Sequence, residues 1–206
     1  MVLLVALAAA ACASRSAGNA PPAPSQPFPD RALSGHSIPI WPLNTLRADT
    51  SLGWDPALTP RRQALEKADS IIAAAMTTRR PMIKWVLPGE LRRTAKKAPG
   101  MLADPDYMAT ELLQTRALAN VPEPLRAQLR GLTGAATGGR YALVPAALRF
   151  VRDKSGRGRA DLAVALVDVR GGAVSWGATG SGVADTPWEA VDRACQALTV
   201  TAPPPR

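Results

Sequence analysis

Leu162-Ala163-Val164-Ala165-Leu166-Val167-Asp168-Val169-Arg170-Gly171-Gly172-Ala173-Val174-Ser175-Trp176 is the segment whose reading decides the fold. Its first six residues are apolar without alternation and rich in valine. A continuous apolar run this short predicts a strand covered on both faces. Arg170-Gly171-Gly172 supplies a turn in which positive φ costs little, so a tight hairpin is expected before Ala173. Beyond it, Val174, Trp176 and Ala178 alternate with Ser175, Gly177 and Thr179, which predicts a strand with one apolar face.

Working outward, Arg140–Arg152 reads as a strand before the hairpin, and Asp161–Arg170 and Ala173–Gly180 complete a three-strand meander. A helix over Pro187–Leu198 follows. Thr186 is its N-cap, Pro187 stands at N1, and Glu189 at N3 completes a capping box. Trp188, Val191, Cys195 and Leu198 form its apolar stripe, with Glu189, Asp192, Arg193 and Gln196 facing away.

Before the meander the signals are shorter. Ser37–Leu46 reads as the first strand, interrupted by Pro39 and Pro42 and so expected at an edge. Thr59-Pro60 opens a helix with Leu65, Ala68, Ile72 and Ala75 on its inner face, Met82–Leu87 is a short strand, and Pro88–Lys97 is a short helix. Asp104-Pro105 opens another helix, and Pro124–Leu132 adds a turn or two before a glycine-rich link, Gly131–Gly139. Together these predict a mixed α/β domain: one sheet of about five strands with helices packed on it, ending in the meander and its helix.

The ends read differently. Val2–Ala11 is an apolar run too short to span a bilayer, and it fits the core of a signal peptide. Ala9-Ala10-Ala11-Cys12 resembles the lipobox of bacterial lipoproteins. That resemblance implies cleavage before Cys12 and an acyl (palmitate) lipid on it. Ala13, rather than Asp, implies outer-membrane sorting. Ala13–Pro29 is rich in Ala, Pro and Ser and lacks the apolar residues that offset ordering entropy. As an extended tether, about 17 residues at ~3.1 Å each reach ~50 Å from the membrane. The expected organisation is therefore a signal peptide over residues 1–11, the lipidated Cys12 and tether over 12–36, one α/β domain over 37–201, and a disordered tail over 202–206.

Net charge is +9. In a cytosolic chain that charge would point to nucleic acid. In the envelope it points to anionic lipid, glycan or an acidic protein, and aromatic residues at 4% offer no row of stacking platforms for single strands. Nucleic acid is therefore not an expected partner. Arg92, Arg93, Lys96 and Lys97 cluster on about two helical turns and form the expected surface for an anionic partner.

Catalytic chemistry has few carriers here. His36, the single histidine, lies at the edge of the tether. Cys195 lies on an apolar helix face and reads as a buried, inert thiol, without a disulfide partner once Cys12 is lipidated. Cysteines and histidines are too few for a zinc site, and no cofactor is expected. Gly134–Gly139 and Thr179–Gly182 lack the lysine and the helix start of a phosphate loop and read as ordinary loops. Asp161 and Asp168 bracket the central strand. They leave an acid/base pair open, although Asp168 fits better as a hairpin-ordering group or a partner of Arg170.

Asp168-Val169-Arg170-Gly171-Gly172-Ala173-Val174-Ser175-Trp176 resembles a hairpin shared by a group of envelope lipoproteins and related domains. The group comprises CsgG-like secretion lipoproteins, LpoB-like activators of penicillin-binding proteins, and the TolB amino-terminal domain. Ile83-Lys84-Trp85-Val86 followed by Pro88-Gly89-Glu90-Leu91 resembles their second strand entering a helix. The resemblance implies a domain over Ser37–Leu198 that binds envelope partners without catalysis. CsgG-like channels also carry long alternating segments that build a barrel. None is read here, so pore formation is not expected. Auxiliary lipoproteins of ABC transporters end in a similar hairpin, which leaves a lipid- or solute-transport role open. A hydrolase using Asp161 or Asp168 is the third reading.

Overall fold

The computed structural model describes residues 27–114 and 118–199. The signal peptide, Cys12, most of the tether and the tail from 202 onward lie outside the described residues.

The continuous apolar run becomes the spine of the sheet. β4 (Tyr141–Arg152), β5 (Gly158–Asp168) and β6 (Ala173–Ala184) form an antiparallel meander, and β2 (Leu46–Ala48) adds in parallel beside β4, giving the order β2-β4-β5-β6. Along β5 the side chains alternate between two cores. Ala160, Leu162, Val164 and Leu166 enter one; Ala163, Ala165 and Val167 enter the other. A strand buried on both faces has no polar side to mark, which is why its sequence does not alternate.

Two bulges change which face a residue serves. In β6, Trp176 pairs with Leu166 and Val174 with Val167, so Ser175 is the extra residue. Val174 and Trp176 were expected on one face; the bulge sends Trp176 into the first core and Val174 against the second. In β4 the register shifts between Pro145 and Ala147, so Val144 and Ala146 serve the second core while Leu148 and Phe150 serve the first.

The first core is closed by α3 (Arg61–Arg79), which the one-turn helix α2 (Asp55–Leu58) precedes, and by α6 (Pro187–Thr199). α6 lies directly on β6 because Gly180 and Gly182 face it. A Cβ on Gly180 would overlap the carbonyl oxygen of Ala194, and one on Gly182 that of Ala190. Its capping box is half made. Glu189 N–H donates to Thr186 Oγ1 at 3.4 Å, while the Glu189 carboxylate turns to Arg193 at 2.5 Å. Thr179–Gly182, expected as a loop, lies inside β6 and pairs with Ala160–Ala163.

The second core is covered by α4 (Pro88–Lys97), by α5 (Leu125–Thr137), and by two 3-10 turns, Pro105–Tyr107 and Thr110–Gln114, where a single helix from Asp104 was expected. α5 runs through Gly131 and Gly134, which were expected to be link. Leu125, Leu129 and Leu132 bury one stripe of it, and that packing outweighs glycine's low helix propensity. The helix stops at Gly138, in the left-handed region at φ 63°, whose N–H closes on Gly134 O at 2.9 Å.

The expected first strand divides. β1 (Ser37–Pro39) pairs in parallel with β3 (Lys84–Val86) as a separate two-stranded sheet, and the chain then crosses to the main sheet by an Ile40–Leu143 bridge before reaching β2. Pro39 and Pro42 cannot donate to a ladder, so a continuous strand has no way to form there. The mixed α/β class with a terminal meander and helix is as the sequence predicts.

The packed chain begins earlier than the expected boundary at Ser37. Phe28 is only 9% exposed and its ring meets Trp176 edge-on, with centroids 4.9 Å apart. Leu33, in the short helix α1 (Asp30–Leu33), is buried, and Asp30 pairs with Arg80. Residues 28–36 therefore belong to the domain. Phe28 and Leu33 are the apolar side chains whose burial joins this stretch to the core.

Candidate functional site

α4 is amphipathic. Leu91 and Ala95 are buried, and Arg92 stands beside them at the helix flank. From there Arg92 reaches inward rather than out. One terminal nitrogen lies 2.8 Å from Asp69 Oδ2, and its Nε donates to Asp106 Oδ1 at 2.8 Å. Asp69, on α3, is 4% exposed, and its other oxygen accepts Leu43 N–H at 2.8 Å. One guanidinium thus ties α3, α4 and the turn after Asp104 together. Burial pushes the Asp69 carboxyl up to about 6, against the opposing pull of Leu43 N–H and Arg92.

Above this bridge lies an open cleft of about 400 Å³, lined among others by Asn44, Arg61, Arg62, Glu66, Arg92 and Tyr107. A second cleft of about 470 Å³ adjoins it and carries Lys96, Leu102 and Asp104. The two share Arg62, Arg92, Asp106 and Tyr107, so they form one groove with Arg92 in its floor. Tyr107 stands at the lip, 85% exposed. Asn44 holds the wall in place by donating from its amide to Pro105 O at 2.9 Å and to Met108 O at 3.1 Å. Arg61 donates to Leu46 O and Asn44 O, which fixes the start of α3 against the same wall.

The four basic residues of α4 do not form one surface. Arg92 is held in the bridge. Arg93 lies 4.0 Å from Glu90 and lines another hollow, which borders the first cleft at Glu66 and Arg92. Lys96 opens into the groove, and Lys97 is exposed. Arg92 and Lys96 are therefore not the repulsive pair that their spacing implies, because two carboxylates neutralise Arg92.

The remaining residues singled out in the sequence lie apart. His36 is exposed and its ring stacks on Tyr141, with centroids 5.9 Å apart. Cys195 is buried in the first core, and burial pushes its thiol up to about 12. Asp168 orders the hairpin by accepting Arg170 N–H at 3.1 Å, but its side-chain partner is Arg140, at 2.5 Å, and not Arg170. Arg140 holds its carboxyl below the usual carboxylate range. Asp161 accepts Ser181 Oγ–H at 2.6 Å and Arg159 at 2.9 Å. Asp161 and Asp168 lie seven positions apart along β5, a distance of about 23 Å with the two on opposite faces, so they cannot share a substrate as an acid/base pair. Among the described residues no cluster of three His, Cys, Asp or Glu could hold a metal, and no helix is long and apolar enough to cross a membrane.

Sequence reading did not identify Asp69, Asp106, Arg62 or Tyr107. One signal was present: Asp69 sits four residues after Leu65 and three before Ile72, an acid inside an apolar helical stripe.

The chain is thus a mixed α/β domain built on a terminal meander and helix, with a polar groove between α3, α4 and the turn after Asp104. No family model and no curated protein matches it. Among solved structures, the LpoB C-terminal domain from Salmonella enterica is similar at 15% identity and a TM-score of 0.39, over 72% of this chain and 82% of that one. The PelC dodecamer from Paraburkholderia phytofirmans is similar at 16% identity and a TM-score of 0.40, over 85% and 89%. The NMR structure of E. coli LpoB is similar at 16% identity and a TM-score of 0.37, over 88% and 81%. At these identities and TM-scores the likenesses are distant. The LpoB-like part of the sequence resemblance reappears among them.

Proposed function

We propose that this chain is a lipid-anchored lipoprotein of the bacterial outer membrane, facing the periplasm, and that its domain acts by binding an envelope partner in the groove between α3 and α4. The observation that carries this reading is the pairing of Arg92 with Asp69 and Asp106. Two carboxylates that acid/base chemistry would need are engaged in holding the groove's walls together. What the groove presents to solvent is a rim of Tyr107, Lys96, Arg62 with its partner Glu66 at 3.0 Å, and Asp104, around a preformed floor. An exposed tyrosine beside cations suits recognition of an acidic protein segment or an anionic glycan, because its ring gives contact area at low entropic cost.

A photo-crosslinking residue at Tyr107 in the full, membrane-targeted chain tests this. The expected result is one discrete adduct with an envelope protein or glycan, lost when Arg62 and Lys96 are both changed to Glu. No adduct at Tyr107, or an adduct unaffected by the charge reversals, would sink the assignment of the groove. A permease or transporter ATPase in the adduct would favour the transporter-auxiliary role.

A further inference from the structure

We propose that the end of the domain where the tether joins it is a docking surface for anionic phospholipid. The described chain begins at Pro27, and the next residue is fixed: Phe28 lies between the Trp176 ring and the Arg80 guanidinium, which stands 4.1 Å from the Phe28 ring centroid. The point at which the tether leaves the domain is therefore set by the core. Around that point the chain brings three elements together. Gly35 N–H donates to Met82 O at 2.9 Å, and Lys84 N–H donates to His36 O at 3.0 Å, so α1, the end of α3 and the start of β3 lie side by side.

This end carries exposed Arg31, Arg79 and Lys84. The ion pairs formed among the described residues use none of the three. The acid of α1, Asp30, is taken up by Arg80. Met82, three residues after Arg79 and two before Lys84, is 71% exposed, an apolar side chain of the length that enters a headgroup layer. Unpaired cations around an exposed apolar side chain complement an anionic lipid surface.

Position supports the same occupant. Cys12 is separated from Phe28 by residues 13–27, which span at most about 50 Å of chain. If Cys12 is acylated, as proposed above, the lipid surface is held near this end of the domain, and a weak attraction is amplified by that local concentration. The surface itself does not depend on acylation, so it can be tested without it.

The test uses the chain from Cys12 onward, with Cys12→Ser to remove the acyl site, in vesicle flotation. Phosphatidylglycerol/phosphatidylcholine vesicles are compared with pure phosphatidylcholine. The expected result is binding to the anionic vesicles that weakens as salt rises, with little binding to the neutral ones. Each basic residue at an anionic surface is worth roughly fivefold, so Arg31→Gln, Arg79→Gln and Lys84→Gln together should lower partitioning on the order of 100-fold. The same charge loss at the opposite end of β4, through Arg47→Gln, Arg149→Gln and Lys154→Gln, should change it little. All six residues but Arg149 and Arg47 lie off the main sheet, and all six are exposed, so the thermal midpoint should confirm that both variants fold. Equal binding to neutral vesicles, or equal losses from the two triple variants, would overturn the proposal. So would failure of the parent chain to bind anionic vesicles. None of these results bears on whether Cys12 is acylated.

Discussion

Arg92 Nη2 lies 2.8 Å from Asp69 Oδ2, so the first cation of the basic helix α4 is committed inside the fold. Its side chain is 20% exposed against 5% for Asp69, which makes the pair a tie between α3 and α4 with one side open to the groove. Removing the cation leaves a buried carboxylate without its counter-charge. Arg92→Met, which keeps the apolar stem, should destabilise the domain by about 3 kcal/mol, the lower end for breaking a buried pair. Adding Asp69→Asn should recover part of the loss, because its amide oxygen can still accept Leu43 N–H. Denaturant midpoints of the two variants check both statements, and a wild-type midpoint for Arg92→Met would rule out the bridge as a stabilising tie.

The same carboxyl gives the domain a pH dependence of definite sign. Asp69 is raised from 3.8 to about 6, so between those values the folded chain binds more protons than the unfolded one. Stability therefore falls as pH rises through this window, by up to about 1 kcal/mol per unit. Asp168 is shifted the other way, by the Arg140 bond, and its contribution is lost only as pH falls below the ordinary carboxylate range. Urea midpoints between pH 4.5 and 7 should decline with rising pH, and Asp69→Asn should flatten that slope. A slope unchanged by Asp69→Asn would assign the dependence to another group.

The sequence was most legible where one physical cause dominates. Burial on both faces is written in the unbroken run Leu162–Val167, and α4 occupies Pro88–Lys97, as its proline start and apolar spacing predict. It was least legible where the cause is tertiary. The bulge at Ser175 adds one residue without any mark in composition, and it puts Val174 and Trp176 on opposite faces. Gly131 and Gly134 read as a link because their local propensity opposes a helix that packing then imposes. The groove was half visible. Its basic helix could be read, but the partners of Arg92 are 23 and 14 residues away and meet it only through the fold.

Trp176 joins the meander to the first described residues, since its ring meets Phe28 edge-on. Trp176→Ala should cost about 3–5 kcal/mol, as for other buried large aromatics. It should also loosen the start of the domain. Limited proteolysis near residues 28–33 should speed up in the variant under conditions where the rest of the chain resists. An unchanged midpoint would mean that Trp176 is not a core contact.

Gly180 lets α6 sit directly on β6, and the space a Cβ would need is filled by the Ala194 carbonyl oxygen. Gly180→Ala should therefore be destabilising even though alanine is the smallest change available. Overpacking of this kind costs about 1–3 kcal/mol. Gly177→Ala, on the same strand, serves as the comparison, because its nearest neighbour is the Val164 carbonyl oxygen at an ordinary 3.8 Å. Equal midpoints for the two variants would show that α6 can shift away from β6 without cost.

Cys12 is the proposed determinant of where the domain works. The apolar run Val2–Ala11 and the three alanines before the cysteine carry the expectation of cleavage and acylation. Cys12→Ser should leave the domain folded, because the core formed by the described residues, from Phe28 on, does not draw on Cys12. It should move the protein from the membrane fraction to the soluble periplasmic fraction and abolish labelling by a clickable palmitate analogue. The two readouts separate the anchor from the surface. If anionic lipid also binds Arg31, Arg79 and Lys84, a small membrane-bound fraction should persist without label and be released by high salt. Full, salt-resistant retention of an unlabelled Cys12→Ser chain would exclude acylation as the anchor.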